Sequence, residues 1–289
     1  MTDAPAQAGF AGRWFHAQDD LRLHYRDYGD PRSARTPVLC LPGLTRNARD
    51  FHEIASRLAR ERRVLCPDYR GRGMSAYDPD PRRYVPATYV GDLHHLLTLA
   101  DVEQVVVIGT SMGGLLAIGL AVFFPTLIAG AVLNDIGPDV EGDGLGRIID
   151  YIARDAPQPD WPAAMAHVRH MSSHLKFQTE AQWQRLAYGG FRRRDDGLLH
   201  VDWDVRLAEA LRQDVRAMPD LWAMYRALRR VPLLTLRGAQ SDVLPVATFD
   251  RMGREHPDCR QATIPGVGHA PMLDEPQATE ALDEFFIRC

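Results

Sequence analysis

Short apolar runs constrain this chain most: Val38–Leu41, Val105–Ile108, Ala129–Asn134 and Val231–Leu236 are each bounded by turn residues or by helical patterns. A strand with one wet face alternates apolar and polar residues, whereas a strand buried on both faces does not. Such strands are covered by helices, and helices are what the intervening segments predict. Asp50–Arg60 places Phe51, Ile54, Ala55 and Leu58 on one side, and Ala87–Ala100, Gly113–Phe124, Val246–Arg254 and Pro271–Ile287 also read as helices. Arg63–Cys66 and Gln261–Ile264 read as further strands, and Trp14–His16 with Leu21–Tyr28 as an antiparallel pair. The fold class is α/β, with a mostly parallel sheet flanked by helices.

The strand pattern stops after the sixth strand. From Pro138 to Arg229 the chain reads as helical and holds Trp161, Trp183, Trp203 and Trp222 of its five tryptophans. It resumes at Val231. The expected organisation is a core of residues 1–137 and 230–289 with a helical cap, 138–229, inserted after strand 6. The cap aromatics either pack its helices on the core or line an apolar substrate site.

Composition excludes several classes. A net charge of −4 gives no nucleic-acid footprint. No run approaches the ~18 apolar residues of a membrane span. Met1–Gly12 lacks the basic start and apolar run of a secretory signal, so the cytoplasm is expected, and Ala4–Ala8 is expected to fray. The four cysteines, Cys40, Cys66, Cys259 and Cys289, form no CxxC pair and read as reduced thiols. His167, His170 and His174 share a helical face without an acidic partner, which suits a solvated or pocket-lining face better than a metal site. Arg192-Arg193-Arg194 runs into Asp195-Asp196-Gly197 and reads as a charged turn. No metal or cofactor is expected.

The chemistry centres on Gly109-Thr110-Ser111-Met112-Gly113, a G-x-S-x-G between an apolar strand and an apolar helix. A sharp turn there projects the serine hydroxyl, and small residues on both sides avoid clashes. The letters do not fit a dinucleotide or phosphate loop. A serine hydroxyl needs a base. Of eleven histidines, His269 has the best setting, in Gly266-Val267-Gly268-His269-Ala270-Pro271 after a strand and before the last helix. The acid should lie between them in the chain. Asp242, after Val231–Leu236, is favoured over Asp135, after Ala129–Asn134. The oxyanion donors expected are the backbone N–H groups of Met112 and, from Pro42-Gly43-Leu44-Thr45, Leu44.

Together these residues resemble the α/β-hydrolase fold family. The resemblance rests on Leu41-Pro42-Gly43-Leu44, Asp68-Tyr69-Arg70-Gly71-Arg72-Gly73-Met74-Ser75, Gly109–Gly114, the Asp242 loop and Gly268-His269-Ala270-Pro271. It implies an eight-stranded sheet, a helical cap and a two-step acyl-enzyme mechanism. Dehalogenases and epoxide hydrolases of the fold use an aspartate nucleophile, whereas position 111 is serine. Meta-cleavage carbon–carbon hydrolases carry Asn before the nucleophile and Trp after the histidine, where this chain has Thr110 and Ala270. The expected activity is cleavage of small, fairly apolar carboxylic esters or lactones. A carbon–carbon hydrolase with the same triad, or a receptor-like fold with little turnover, are the alternatives.

Overall fold

The computed structural model describes residues 7–139, 149–172, 179–213 and 219–289. His174 and the first six residues lie outside the described residues.

The chain enters through an antiparallel pair, β1 (Phe10–His16) and β2 (Arg22–Tyr28). It then alternates: β3 (Val38–Leu41), α1 (His52–Leu58), β4 (Val64–Asp68), α2 (Pro86–Leu99), β5 (Val105–Thr110), α3 (Met112–Phe123) and β6 (Ile128–Asn134). After β6 come α4 (Trp161–Met171), α5 (Glu180–Gly190), β7 (Phe191–Arg193), β8 (Leu199–Val201), α6 (Leu207–Gln213) and α7 (Leu221–Tyr225). β9 (Leu233–Gly238), α8 (Val246–Glu255), β10 (Cys259–Ile264) and α9 (Pro276–Phe286) complete it. Eight strands form one sheet in the order β1-β2-β4-β3-β5-β6-β9-β10, and from β4 to β10 all neighbours are parallel.

Period-two packing explains the apolar runs. Leu39, Leu41, Val105, Val107, Ala131 and Leu133 point to one face, where they meet α2 and α3 through Leu93, Leu96, Leu116 and Leu120. Val38, Cys40, Val106, Ile108 and Val132 point to the other, against Ile54 and Ala55 of α1 and Leu282 and Phe285 of α9. Both faces are covered, so no position on these strands tolerates a charge.

Three expectations change. The segment between β6 and β9 is not wholly helical: β7 and β8 pair as a hairpin, Phe191 opposite Val201. Its turn is the charged run: Gly197 takes φ 81°, and the Arg194 N–H donates to the Leu198 carbonyl at 2.9 Å. The last helix begins at Pro276 rather than Pro271. Residues 271–275 form a loop in which the Met272 N–H is capped by Glu275 Oε1 at 2.8 Å. Val231 precedes β9, whose first paired residue is Leu233.

Among the described residues no helix is long and apolar enough to cross a membrane. Trp161, Trp203 and Trp222 are all buried, and Trp203 Nε1 donates to the Ile152 carbonyl at 3.1 Å.

Candidate active site

The sheet places loops from β3, β5 and β6, and the loop after β10, at its carboxyl edge, where open α/β sheets bind ligands. Ser111 takes φ 53° and ψ −120° between β5 and α3, a strained conformation for a residue with a side chain. Its neighbours make that turn possible. A methyl group on Gly109 would overlap the Gly113 carbonyl, and one on Gly113 would overlap the Leu41 carbonyl of β3. Although Ser111 stands at the N-cap of α3, its hydroxyl does not cap the helix. It faces the histidine loop instead, with Oγ 2.9 Å from His269 Nε2.

The other ring nitrogen, Nδ1, lies 2.8 Å from Asp135 Oδ2. This corrects the expectation of Asp242. Asp135 follows β6 directly, its φ of 57° turns the side chain back over the sheet edge, and it is fully buried. Its other oxygen, Oδ1, accepts the Gly238 N–H at 2.9 Å. Asp242 is exposed, within a turn in which Ser241 Oγ accepts the Val243 and Leu244 N–H groups at 3.3 and 3.2 Å. The reason is local packing. Gly238 and Gln240 carry the histidine loop on their backbone, the Gln240 N–H donating to the Val267 carbonyl at 2.9 Å. A methyl group on Gly238 would overlap the Gly268 carbonyl. The chain after β9 therefore supports the histidine from behind and then leaves towards solvent.

Asn134 was not singled out by sequence reasoning. Its carbonyl accepts the Ser111 N–H at 3.0 Å, and its Nδ2 donates to Thr110 Oγ1 at 3.0 Å and to the Pro271 carbonyl at 2.9 Å. A carbonyl only accepts, so the Pro271 contact identifies the amide nitrogen. One fully buried side chain thus ties the serine and histidine loops together, next to Asp135. A polar residue ending a buried strand was the available signal.

Around the Leu44 loop, a methyl group on Gly43 would lie 3.8 Å from Ser111 Cβ, so the loop borders the serine. The Gly43 carbonyl accepts the Arg46 N–H at 3.1 Å. In a trans peptide the N–H opposes the carbonyl, so the Leu44 N–H points to the opposite side. Met112 is the first residue of α3, and its N–H has no acceptor within the helix.

Behind this edge, Asp68–Ser75 is a packed scaffold. Asp68 Oδ2 accepts from His24 Nδ1 at 2.8 Å and from the Met74 N–H at 2.9 Å, and Oδ1 accepts the Ala48 N–H at 2.7 Å. Burial alone would raise the Asp68 pKa, but these donors hold it below the ordinary carboxylate value. Arg70 is buried among Asp19, Asp78 and Asp92.

His167 and His170 lie on α4, and burial lowers the pKa of His167, with His170 adding to the effect. Among the described residues, no three His, Cys, Asp or Glu side chains are grouped as metal ligands.

Comparisons with known proteins agree with this fold. A model of the alpha/beta hydrolase family matches residues 38–282. A 3-hydroxybutyrate-oligomer hydrolase of Cupriavidus necator is 34% identical over 275 residues, 92% of each chain. An sn-1-specific diacylglycerol lipase of Danio rerio is 35% identical over 266 residues, 86% of this chain and 78% of the lipase. The crystal structure of an alpha/beta hydrolase from Novosphingobium aromaticivorans superposes with a TM-score of 0.92 at 42% identity, covering 98% of this chain and 100% of that one. With a strained serine on a β5–α3 turn and a family match that runs from β3 into the last helix, this chain belongs to the alpha/beta hydrolase family.

Proposed function

We propose that the protein is a serine esterase that cleaves small, fairly apolar carboxylic esters through an acyl-enzyme, with Ser111 as nucleophile, His269 as base and Asp135 as the acid that orients it. The observation that carries this reading is the continuous chain Ser111 Oγ–His269–Asp135, with contacts of 2.9 and 2.8 Å. Asp135 accepts a hydrogen bond from the Nδ1–H, which holds the tautomer whose Nε2 is unprotonated. Nε2 accepts the Ser111 proton as Oγ attacks the acyl carbon, and the carboxylate stabilises the imidazolium that forms. The Leu44 and Met112 N–H groups receive the negative charge that develops on the carbonyl oxygen. His269 then protonates the departing alcohol. Water, activated by the same ring, hydrolyses the acyl-serine.

Residues 138–229 act as the cap that closes over the acyl group. The relative from Cupriavidus necator is named for hydrolysis of 3-hydroxybutyrate oligomers, and linear esters of short hydroxy acids fit the same chemistry. Lactones are the cyclic form of that bond and fall within the proposed range.

A panel of p-nitrophenyl esters of increasing chain length, with 3-hydroxybutyrate dimer and simple lactones, tests the reading on wild type and Ser111→Ala. The expected result is turnover of short esters and the dimer, with kcat falling by about 10⁴ to 10⁶-fold in Ser111→Ala. Alanine-variant activity near wild type would overturn the assignment.

A further inference from the structure

Helix α5 ends at Gly189-Gly190, and the carbonyls of a last helical turn lack partners within the helix. Here the loop after β3 supplies the donors. Arg46 Nη1 donates to the Leu186 carbonyl at 3.1 Å, and Asn47 Nδ2 to the Gly189 carbonyl at 2.7 Å. Arg49 Nη2 reaches the same Gly189 carbonyl at 3.3 Å. Two guanidinium groups thus stand at the negative end of the helix, where cations are favoured. Asp50 holds Arg46 in a two-point grip, 2.7 Å at both Nε and Nη2.

The approach is close enough that an added methyl group would displace the ends of these side chains. A methyl group on Gly189 would overlap Arg46 Nη2 and lie 2.5 Å from Asp50 Oδ1, and one on Gly190 would lie 3.1 Å from Arg46 Nη1.

The same loop carries Leu44. The Arg46 N–H takes the Gly43 carbonyl, and the Arg46 Cγ packs 3.4 Å from the position a Gly43 methyl would occupy. From the other side, Arg72 Nε donates to the Leu44 carbonyl at 2.9 Å, and Arg72 forms a β-bridge with Trp203 of the inserted segment. The peptides on both sides of Leu44 are therefore fastened by residues that also hold the cap.

We infer that Arg46 and Asn47 are positioning residues that couple cap seating to the oxyanion hole: the end of α5, docked on their side chains, sets the loop that aims the Leu44 N–H. The inference rests on the esterase reading. Its consequence is that disturbing the cap contact costs turnover even with substrates too small to touch the cap.

The test compares kcat and KM for p-nitrophenyl acetate and decanoate in wild type, Arg46→Ala, Arg46→Lys and Gly189→Ala, with thermal unfolding of each. Losing an oxyanion donor outright costs about 10² to 10³-fold, so a displaced donor should cost about tenfold or more in kcat, equally for both esters. Arg46→Lys should restore part of it, because it keeps the charge without the two-point grip on Asp50. Adding Gly189→Ala to Arg46→Ala should add little, because both act on one contact. If Arg46→Ala does not fold, Arg46→Lys and Gly189→Ala carry the same comparison. Folded variants that keep wild-type kcat on the acetate and change only KM for the decanoate would overturn the inference. In that event Ser111→Ala remains inactive, whereas failure of the esterase reading would appear as activity in Ser111→Ala itself.

Discussion

Asp135 Oδ2 lies 2.8 Å from His269 Nδ1 while its other oxygen takes the Gly238 N–H at 2.9 Å, so one carboxylate joins the ends of β6 and β9 to the histidine loop. The carboxylate is held by the sheet itself, through the Gly238 N–H. Its orientation is thereby fixed before substrate arrives.

The first prediction separates the two aspartates. Asp135→Asn should lower kcat by roughly 10⁴-fold, because an amide in that place favours the wrong tautomer of the imidazole. Asp242→Asn, at an exposed position, should stay within about twofold of wild type. Steady-state kinetics on one ester decides it. Equal losses, or a larger loss at position 242, would contradict the placement.

Much of the fold was legible because β3, β5 and β6 are too apolar to have a wet face. Ser111 and His269 were legible from their settings: one between a buried strand and an apolar helix, the other in a glycine-rich loop before the last helix. The carboxylate that partners His269 was not. Both Asp135 and Asp242 follow a strand and lie between Ser111 and His269 in the chain. What separates them is the positive φ at Asp135 and the packing of Gly238 under Gly268, neither of which has a periodicity. The β7–β8 hairpin escaped because its strands are three residues long, although Asp196-Gly197 is a turn signal. The contacts of Arg46 and Asn47 with α5 span about half the chain and leave no local trace.

Glycine positions give a paired stability test. Gly113→Ala should destabilise the fold by about 3 kcal/mol or more, since the methyl group meets the β3 backbone rather than a side chain that can move. Gly91 lies within α2 with open space around it, so Gly91→Ala should stabilise by about 0.5–1 kcal/mol. Urea unfolding of both variants reads the opposite signs.

Asn134→Ala removes two hydrogen bonds, a half-buried one to Thr110 beside the serine and a buried one to Pro271 in the histidine loop. We expect a loss of about 2–3 kcal/mol in stability and a drop in kcat of about tenfold or more, with KM little changed. A variant that is less stable but turns over at the wild-type rate at low temperature would limit Asn134 to a structural role.

His200 bridges two carboxylates, Nδ1 to Asp155 at 2.6 Å and Nε2 to Asp196 at 2.8 Å, and both contacts are hydrogen bonds only when the ring carries both protons. The Asp155 bond, followed by that of Asp196, raises its pKa above the ordinary 6.5. A raised pKa stabilises fully below the unfolded value and is lost as pH rises through the folded one. The melting temperature of wild type relative to His200→Gln should therefore be highest in mild acid and decline as pH rises past 6.5. A difference independent of pH would mean that the ring does not titrate in this contact.

The most direct test of the account is intact-protein mass spectrometry after reaction with a p-nitrophenyl alkylphosphonate, with peptide mapping of the adduct. The account predicts one phosphonyl group per chain, on Ser111, formed rapidly in wild type, slowly in His269→Ala and not at all in Ser111→Ala. Labelling at another residue, or of Ser111 at the same rate with and without the His269 imidazole, would contradict it.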